Sequence, residues 1–123
     1  MRSVGTDIVE IARIGRSLRR QPAFAAEVFS ASERSYCDAQ ARPEQHYAAR
    51  FAAKEAFLKA VGRGVLDGVA LDEIEVTRSG DRAPAFRLGP TARAALTEAG
   101  GREALVSLSH DGGMALAFVV VCG

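Results

Sequence analysis

RFAAKEAFLKAVGRG, residues 50–64, decides how the rest of the chain is arranged. It is rich in strong helix formers and runs into glycine, so it reads as the C-terminal half of a helix closed by Gly62. On a helical wheel Phe51, Leu58 and Gly62 share one face, and Glu55 lies between them. A carboxylate on an apolar stripe is costly unless something pairs with it. Arg50, Lys54 and Lys59 crowd round it in the sequence. Lys59 stands at i, i+4 from Glu55, so an ordinary helical ion pair is one explanation. The other is that Glu55 holds a cation, and the basic residues hold whatever anion shares that cation.

Upstream, Pro43 suits the first turn of this helix, which the pattern predicts from about Glu44 to Val61. Ser30 to Glu33, SASE, has the form of a capping box and predicts a further helix, broken by ARPEQ. Ile11, Ile14 and Leu18 repeat at helical spacing with arginines between them, and Pro22 interrupts that helix. RSVGTDIV, residues 2–9, alternates as a strand: Val4, Thr6 and Ile8 on one face, Gly5, Asp7 and Val9 on the other. Downstream, DEIEVTR and APAFRL read as a hairpin turned at SGDR. GPTARAALTEAGG is a short helix with Pro90 near its start and Gly100 and Gly101 after its end. EALVSLSH and MALAFVVV are two more strands, joined through DGG. The predicted order is β-α-α-α-β-β-α-β-β. That is an α+β fold, a largely antiparallel sheet packed on a long helix, expected to form one domain over residues 1–123.

Composition bounds the function. Apolar residues make up 48%, enough for a globular core. Lysine and arginine total 16 against 15 acidic residues, a formal net charge of +1. That balance argues against general nucleic-acid binding, so no nucleic-acid partner is expected and any charged partner must meet a local patch. The two cysteines, Cys37 and Cys122, follow no metal or redox spacing and read as free thiols of a reducing compartment. No apolar run reaches the roughly 18 residues of a membrane span, and Asp7 and Glu10 interrupt what a signal peptide would need as its apolar core. A cytoplasmic protein is expected.

Four groups could carry chemistry. Asp7 sits inside a strand, where aspartate is depleted, and Glu55 sits on the helix. With two histidines and no cysteine cluster, zinc is disfavoured. Two carboxylates with open positions for water and phosphate oxygens is how Mg²⁺ is commonly held. Arg50, Lys54 and Lys59 would be odd company for a bare metal but suit phosphates that share it. His110 ends a strand beside the DGG turn, at the sheet rim, where a histidine can meet an anion. His46 has no evident role. Arg13, Arg16 and Arg20 form a basic face with no acid between Glu10 and Glu27, either a solvated surface or a dock for an acidic partner.

Taken together, GTDIVEIARI, RFAAKEAFLKAVGRG and VSLSHDGGMALAFVVV resemble holo-[acyl-carrier-protein] synthases, the short single-domain class of 4'-phosphopantetheinyl transferases. The resemblance implies an enzyme that moves the phosphopantetheine arm of coenzyme A to a serine of apo acyl carrier protein, releases adenosine 3',5'-bisphosphate and supports fatty acid biosynthesis. It implies Asp7 and Glu55 as Mg²⁺ ligands, and Asp7, Glu55 and Lys59 as catalytic residues. Arg50, Lys54, Lys59 and Gly62 would lie along the coenzyme A phosphates, with His110 at the nucleotide's phosphate end and Ser107 and Ser109 close by. Arg13, Arg16 and Arg20 would meet the carrier's acidic helix. The resemblance also implies a homotrimer with active sites between subunits. The chain departs from the pattern at SGDRAPAF, where Gly-Lys-Pro is usual and Arg82 is a substitute candidate, at Asp111, and at Ser17. Two other functions compete: a coenzyme A or nucleotide pyrophosphate hydrolase, and a non-catalytic scaffold that binds carrier protein through the arginine face.

Overall fold

The computed structural model describes residues 1–64, 67–78 and 82–123. The N-terminal strand is β1 (Ser3–Glu10), which runs directly into α1 (Ile11–Arg20). A helix absent from the sequence expectation follows, α2 (Phe24–Val28); its 5 residues are too few for a hydrophobic period to register. α3 (Ala31–Asp38) opens on the expected capping box: Ser30 Oγ accepts from the Glu33 amide, and the Glu33 side chain accepts from the Ser30 amide. The long helix is α4 (Pro43–Ala60), with Pro43 in its first turn. A 3-10 turn, Leu71–Glu73, leads to the hairpin of β2 (Ile74–Thr77) and β3 (Ala85–Leu88). Then come α5 (Pro90–Glu98), β4 (Glu103–Asp111) and β5 (Met114–Cys122).

Among the described residues all pairing is antiparallel, but the strands form two sheets rather than one: β1-β5-β4, and the separate hairpin β2-β3. β4 and β5 pair up to Asp111–Met114, which leaves Gly112 and Gly113 as a two-residue turn. Their φ values of 56° and 80° place both in the left-handed region that such a turn requires.

α4 is the central element. Ala48, Ala52, Ala53 and Ala56 are fully buried, and these small side chains let the helix lie close on the three-stranded sheet. The closest approach is at Gly5 in β1, where a Cβ would overlap the Ala56 carbonyl. Burial therefore runs nearly all round α4. This corrects the wheel reading of residues 50–64. Of the apolar markers only Leu58 is in the core; Phe51 and Glu55 are half-buried and Gly62 is exposed. Glu55 sits on the open side of the helix, not in its core stripe, because the core side is built of alanines that barely register on a hydrophobicity wheel. The helix ends as expected. The Arg63 amide donates to the Leu58 carbonyl and the Gly62 amide to the Lys59 carbonyl, with Gly62 at φ 73°. That is a Schellman motif, and it needs glycine.

The sheet face turned away from α4 is apolar and uncovered. Val4, Ile8, Leu105, Leu116 and Phe118 are all exposed on it. The register places Ile8 opposite Leu116 and Thr6 opposite Phe118, so the side chains form one patch.

Candidate active site

Asp7 projects from β1 between the buried Gly5 and Val9, toward α4. One helix side chain meets it directly. Lys59 Nζ donates to Asp7 Oδ1 at 3.1 Å and to the Thr6 carbonyl at 3.0 Å. Glu55 lies one turn before Lys59 on the same side of the helix. Its carboxyl is held above the usual range, first by burial and then by the negative charge of Asp7, while Lys59 and Arg13 pull the other way. Lys59, bonded to Asp7 and one helical turn from Glu55, links the two carboxylates' surroundings. Arg13 completes the cluster, its guanidinium carbon 6.0 Å from the centre of the Phe51 ring. Among the described residues no three His, Cys, Asp or Glu side chains converge to hold a metal by themselves. A crowded carboxylate pair with an open side nevertheless fits Mg²⁺, which keeps water and phosphate among its ligands.

A second cluster lies at the other edge of the sheet. β5 separates the two: Asp7 pairs with Ala117 from one side, while Leu108 pairs with Ala117 and His110 with Ala115 from the other. A cavity of about 320 Å³ is lined there by Gln45, His46, Arg50, Arg78, Ser109 and His110. Arg50 is only 3% exposed. Its guanidinium stacks 4.4 Å above the Tyr36 ring, and its Nε has no partner among the described residues. His46 is held below its usual value, by burial foremost and then by the charges of Arg50, His110 and Arg78. Two arginines, two histidines and an unmet donor give this cavity the chemistry to hold an anion. Gln45 Nε2 lies 3.1 Å from His110 Nε2, and the pair also borders a larger cleft of about 890 Å³ that Arg16, Arg19 and Arg42 line.

The sequence expectations divide accordingly. The structure groups Asp7, Glu55 and Lys59, with Gly62 following at the same helix end. It groups Arg50 with His110, and Ser109 beside them, but away from Glu55; Ser107 does not line that cavity. Arg16 pairs with Glu10 at 3.4 Å on the cleft, Arg13 lies over the Phe51 ring, and Arg20 is exposed at the end of α1. Lys54 is the outright correction. Its side chain is 0% exposed, and it donates to Glu33 Oε1 at 2.8 Å and to the carbonyls of Leu71 and Ile74 at 2.9 and 2.8 Å. All three ammonium protons are spent inside the protein, so none is left for a substrate phosphate. Burial lowers its proton affinity even against the attraction of Glu33.

His46 and Arg78 are the site residues that sequence reasoning missed. The faint signal for Arg78 was a basic residue closing a strand; His46 stands one turn before Arg50 on the same helix. Of the divergent loop, residues 79–81 lie outside the described residues, and Arg82 is exposed. Asp111 is taken up in the strand ladder opposite Met114, and Ser17 is half-buried in α1.

These features define a class. The profile of the 4'-phosphopantetheinyl transferase superfamily matches residues 3–118, and the chain belongs to that family. Within it, the chain is 42% identical over 118 residues to the holo-[acyl-carrier-protein] synthase of Geobacter sp. (strain M21), covering 95% of this chain and 94% of that one. The crystal structure of holo-[acyl-carrier-protein] synthase from Neisseria meningitidis is similar with a TM-score of 0.86 and 35% identity over 98% of both chains. That of the Helicobacter pylori enzyme in complex with coenzyme A has a TM-score of 0.82 and 32% identity, covering 96% of this chain and 98% of that one.

Proposed function

We propose that this chain transfers the 4'-phosphopantetheine arm of coenzyme A to a serine hydroxyl of apo acyl carrier protein, releasing adenosine 3',5'-bisphosphate. The observation that carries the reading is the Asp7–Glu55 pair with Lys59 beside it, in a chain whose close relatives are named for this reaction. Asp7 and Glu55 would hold Mg²⁺, and the ion, when bound, supplies charge neutralisation for the pyrophosphate and its leaving group. Lys59, exposed and one helical turn from Glu55, neutralises charge as it develops on the phosphoryl oxygens. Glu55, or a water beside the ion, would take the serine proton. Arg50, Arg78, His46 and His110 receive the phosphate at the nucleotide end.

The two halves of this site lie on opposite edges of one sheet, and that supports an assembly in which neighbouring copies share each active site. The uncovered patch of Ile8, Leu116 and Phe118 supplies an apolar contact for it. A homotrimer is the proposed state. Arg13, Arg16 and Arg20, now joined by Arg19, present a basic surface to the acidic carrier protein. Residues 1–123 act as one domain around one contiguous core, in the cytoplasm, where Cys37 and Cys122 stay reduced. No described helix is long and apolar enough to cross a membrane.

Release of adenosine 3',5'-bisphosphate from coenzyme A tests the reaction type. With Mg²⁺ present, release should require apo acyl carrier protein. Release at the same rate without the carrier would identify a pyrophosphate hydrolase instead.

A further inference from the structure

Lys59 occupies the position beside Asp7 that a cation would otherwise compete for. Its ammonium is held at two points, by the Asp7 carboxylate at 3.1 Å and the Thr6 carbonyl at 3.0 Å. Asp7 is largely sheltered, with its side chain 18% exposed, so this contact is not a fully solvated surface pair. The charges of the cluster also balance. Asp7 and Glu55 contribute two formal negative charges; Lys59, bonded to Asp7, and Arg13, over the Phe51 ring one helical turn from Glu55, contribute two positive ones. A divalent ion arriving alone meets a neutral site and has to displace an ammonium from its ligand.

We infer that Lys59 is an internal stand-in for the metal, and that this makes metal and coenzyme A load together rather than independently. The pyrophosphate brings the negative charge that the site lacks, and it offers Lys59 a new partner when the lysine leaves Asp7. Binding of each ligand therefore removes an obstacle to the other, a reciprocal coupling between two ligands at one site. Lys59 in this role is a positioning and gating residue in addition to its contact with phosphate. The inference rests on the proposed metal role of Asp7 and Glu55.

Mn²⁺ serves as a paramagnetic probe of hard oxygen sites, and its binding can be followed by electron paramagnetic resonance without turnover. In the wild-type protein Mn²⁺ alone should bind weakly, and added coenzyme A should tighten it strongly. In Lys59→Met, Mn²⁺ alone should bind about fivefold tighter or more, the effect of removing one positive charge a few ångströms away even at the dielectric of water. The tightening by coenzyme A should shrink in the same variant. Unchanged or weaker binding of Mn²⁺ alone to Lys59→Met overturns the stand-in role. Failure of the wild type to bind Mn²⁺ even with coenzyme A, or retention of full binding by Asp7→Asn, overturns the metal site itself. Circular dichroism of the variants confirms that each is folded before the binding data are read.

Discussion

Replacing Lys54 by methionine removes the positive half of a pair that is completely buried, both side chains being 0% exposed. Methionine keeps much of the aliphatic volume, so the cavity contribution is small and the loss is mainly polar. Glu33 would be left as a buried carboxylate with only the amides of Ser30 and Val76 as donors. The carbonyls of Leu71 and Ile74 would lose the ammonium as well. Breaking one side of a buried pair costs about 3–5 kcal/mol. For a domain of this size that corresponds to a fall in Tm of about 10–20 °C. The assay is thermal unfolding by circular dichroism at one fixed protein concentration, since self-association would make Tm concentration-dependent. The double variant Glu33→Gln, Lys54→Met should lose less than the sum of the two single changes, because the second substitution removes the uncompensated charge left by the first. The alternative, that Lys54 binds coenzyme A phosphates, gives the opposite signature. A variant with unchanged Tm and a raised KM for coenzyme A would refute the structural role.

Further outcomes follow from the geometry. Gly5→Ala places a methyl group against the Ala56 carbonyl and should cost about 1–3 kcal/mol, read from the denaturant midpoint; no loss would mean that α4 does not approach β1 so closely. Phe118→Glu puts a charge on the uncovered sheet face and should reduce the assembled mass by sedimentation while leaving the monomer fold intact; an unchanged mass would place the interface elsewhere. His46 should titrate below about 6.5 by NMR in the free protein, since burial and then Arg50, His110 and Arg78 disfavour its charged form. The folded state then binds this proton less readily than the unfolded chain, so His46 contributes stability that is present above its ordinary value and is lost as pH falls toward its depressed one. A phosphate in the cavity reverses the preference, so coenzyme A affinity should strengthen as pH drops from about 7 toward about 6. Arg78→Ala should weaken that affinity at every pH.

The local signals in the sequence were the readable ones. The Ser30–Glu33 capping box, Pro43 in the first turn of α4 and Gly62 at its end depend on residues a few positions apart, and each is in place. The alternation of β1 likewise carried Asp7 to the α4 side of the sheet. What stayed hidden depends on distant partners. A lysine in a helix reads as exposed, and nothing near Lys54 announced that Glu33, 21 positions away, would bury with it. Arg78 and His46 became site residues only when the hairpin and α4 were brought against the β4 edge. The same holds for the separation of the two clusters. Arg50, Lys54 and Glu55 are near neighbours in the chain, yet helical geometry and packing send each to a different surrounding.

The most direct test of the account is the intact mass of an apo acyl carrier protein after incubation with this protein, coenzyme A and Mg²⁺. The carrier should gain one phosphopantetheine with the wild-type protein, and the gain should disappear when Asp7→Asn replaces it. A carrier that stays unmodified while binding the wild-type protein would identify a scaffold and contradict the transferase. Full modification by Asp7→Asn would contradict the carboxylate site on which the mechanism is built.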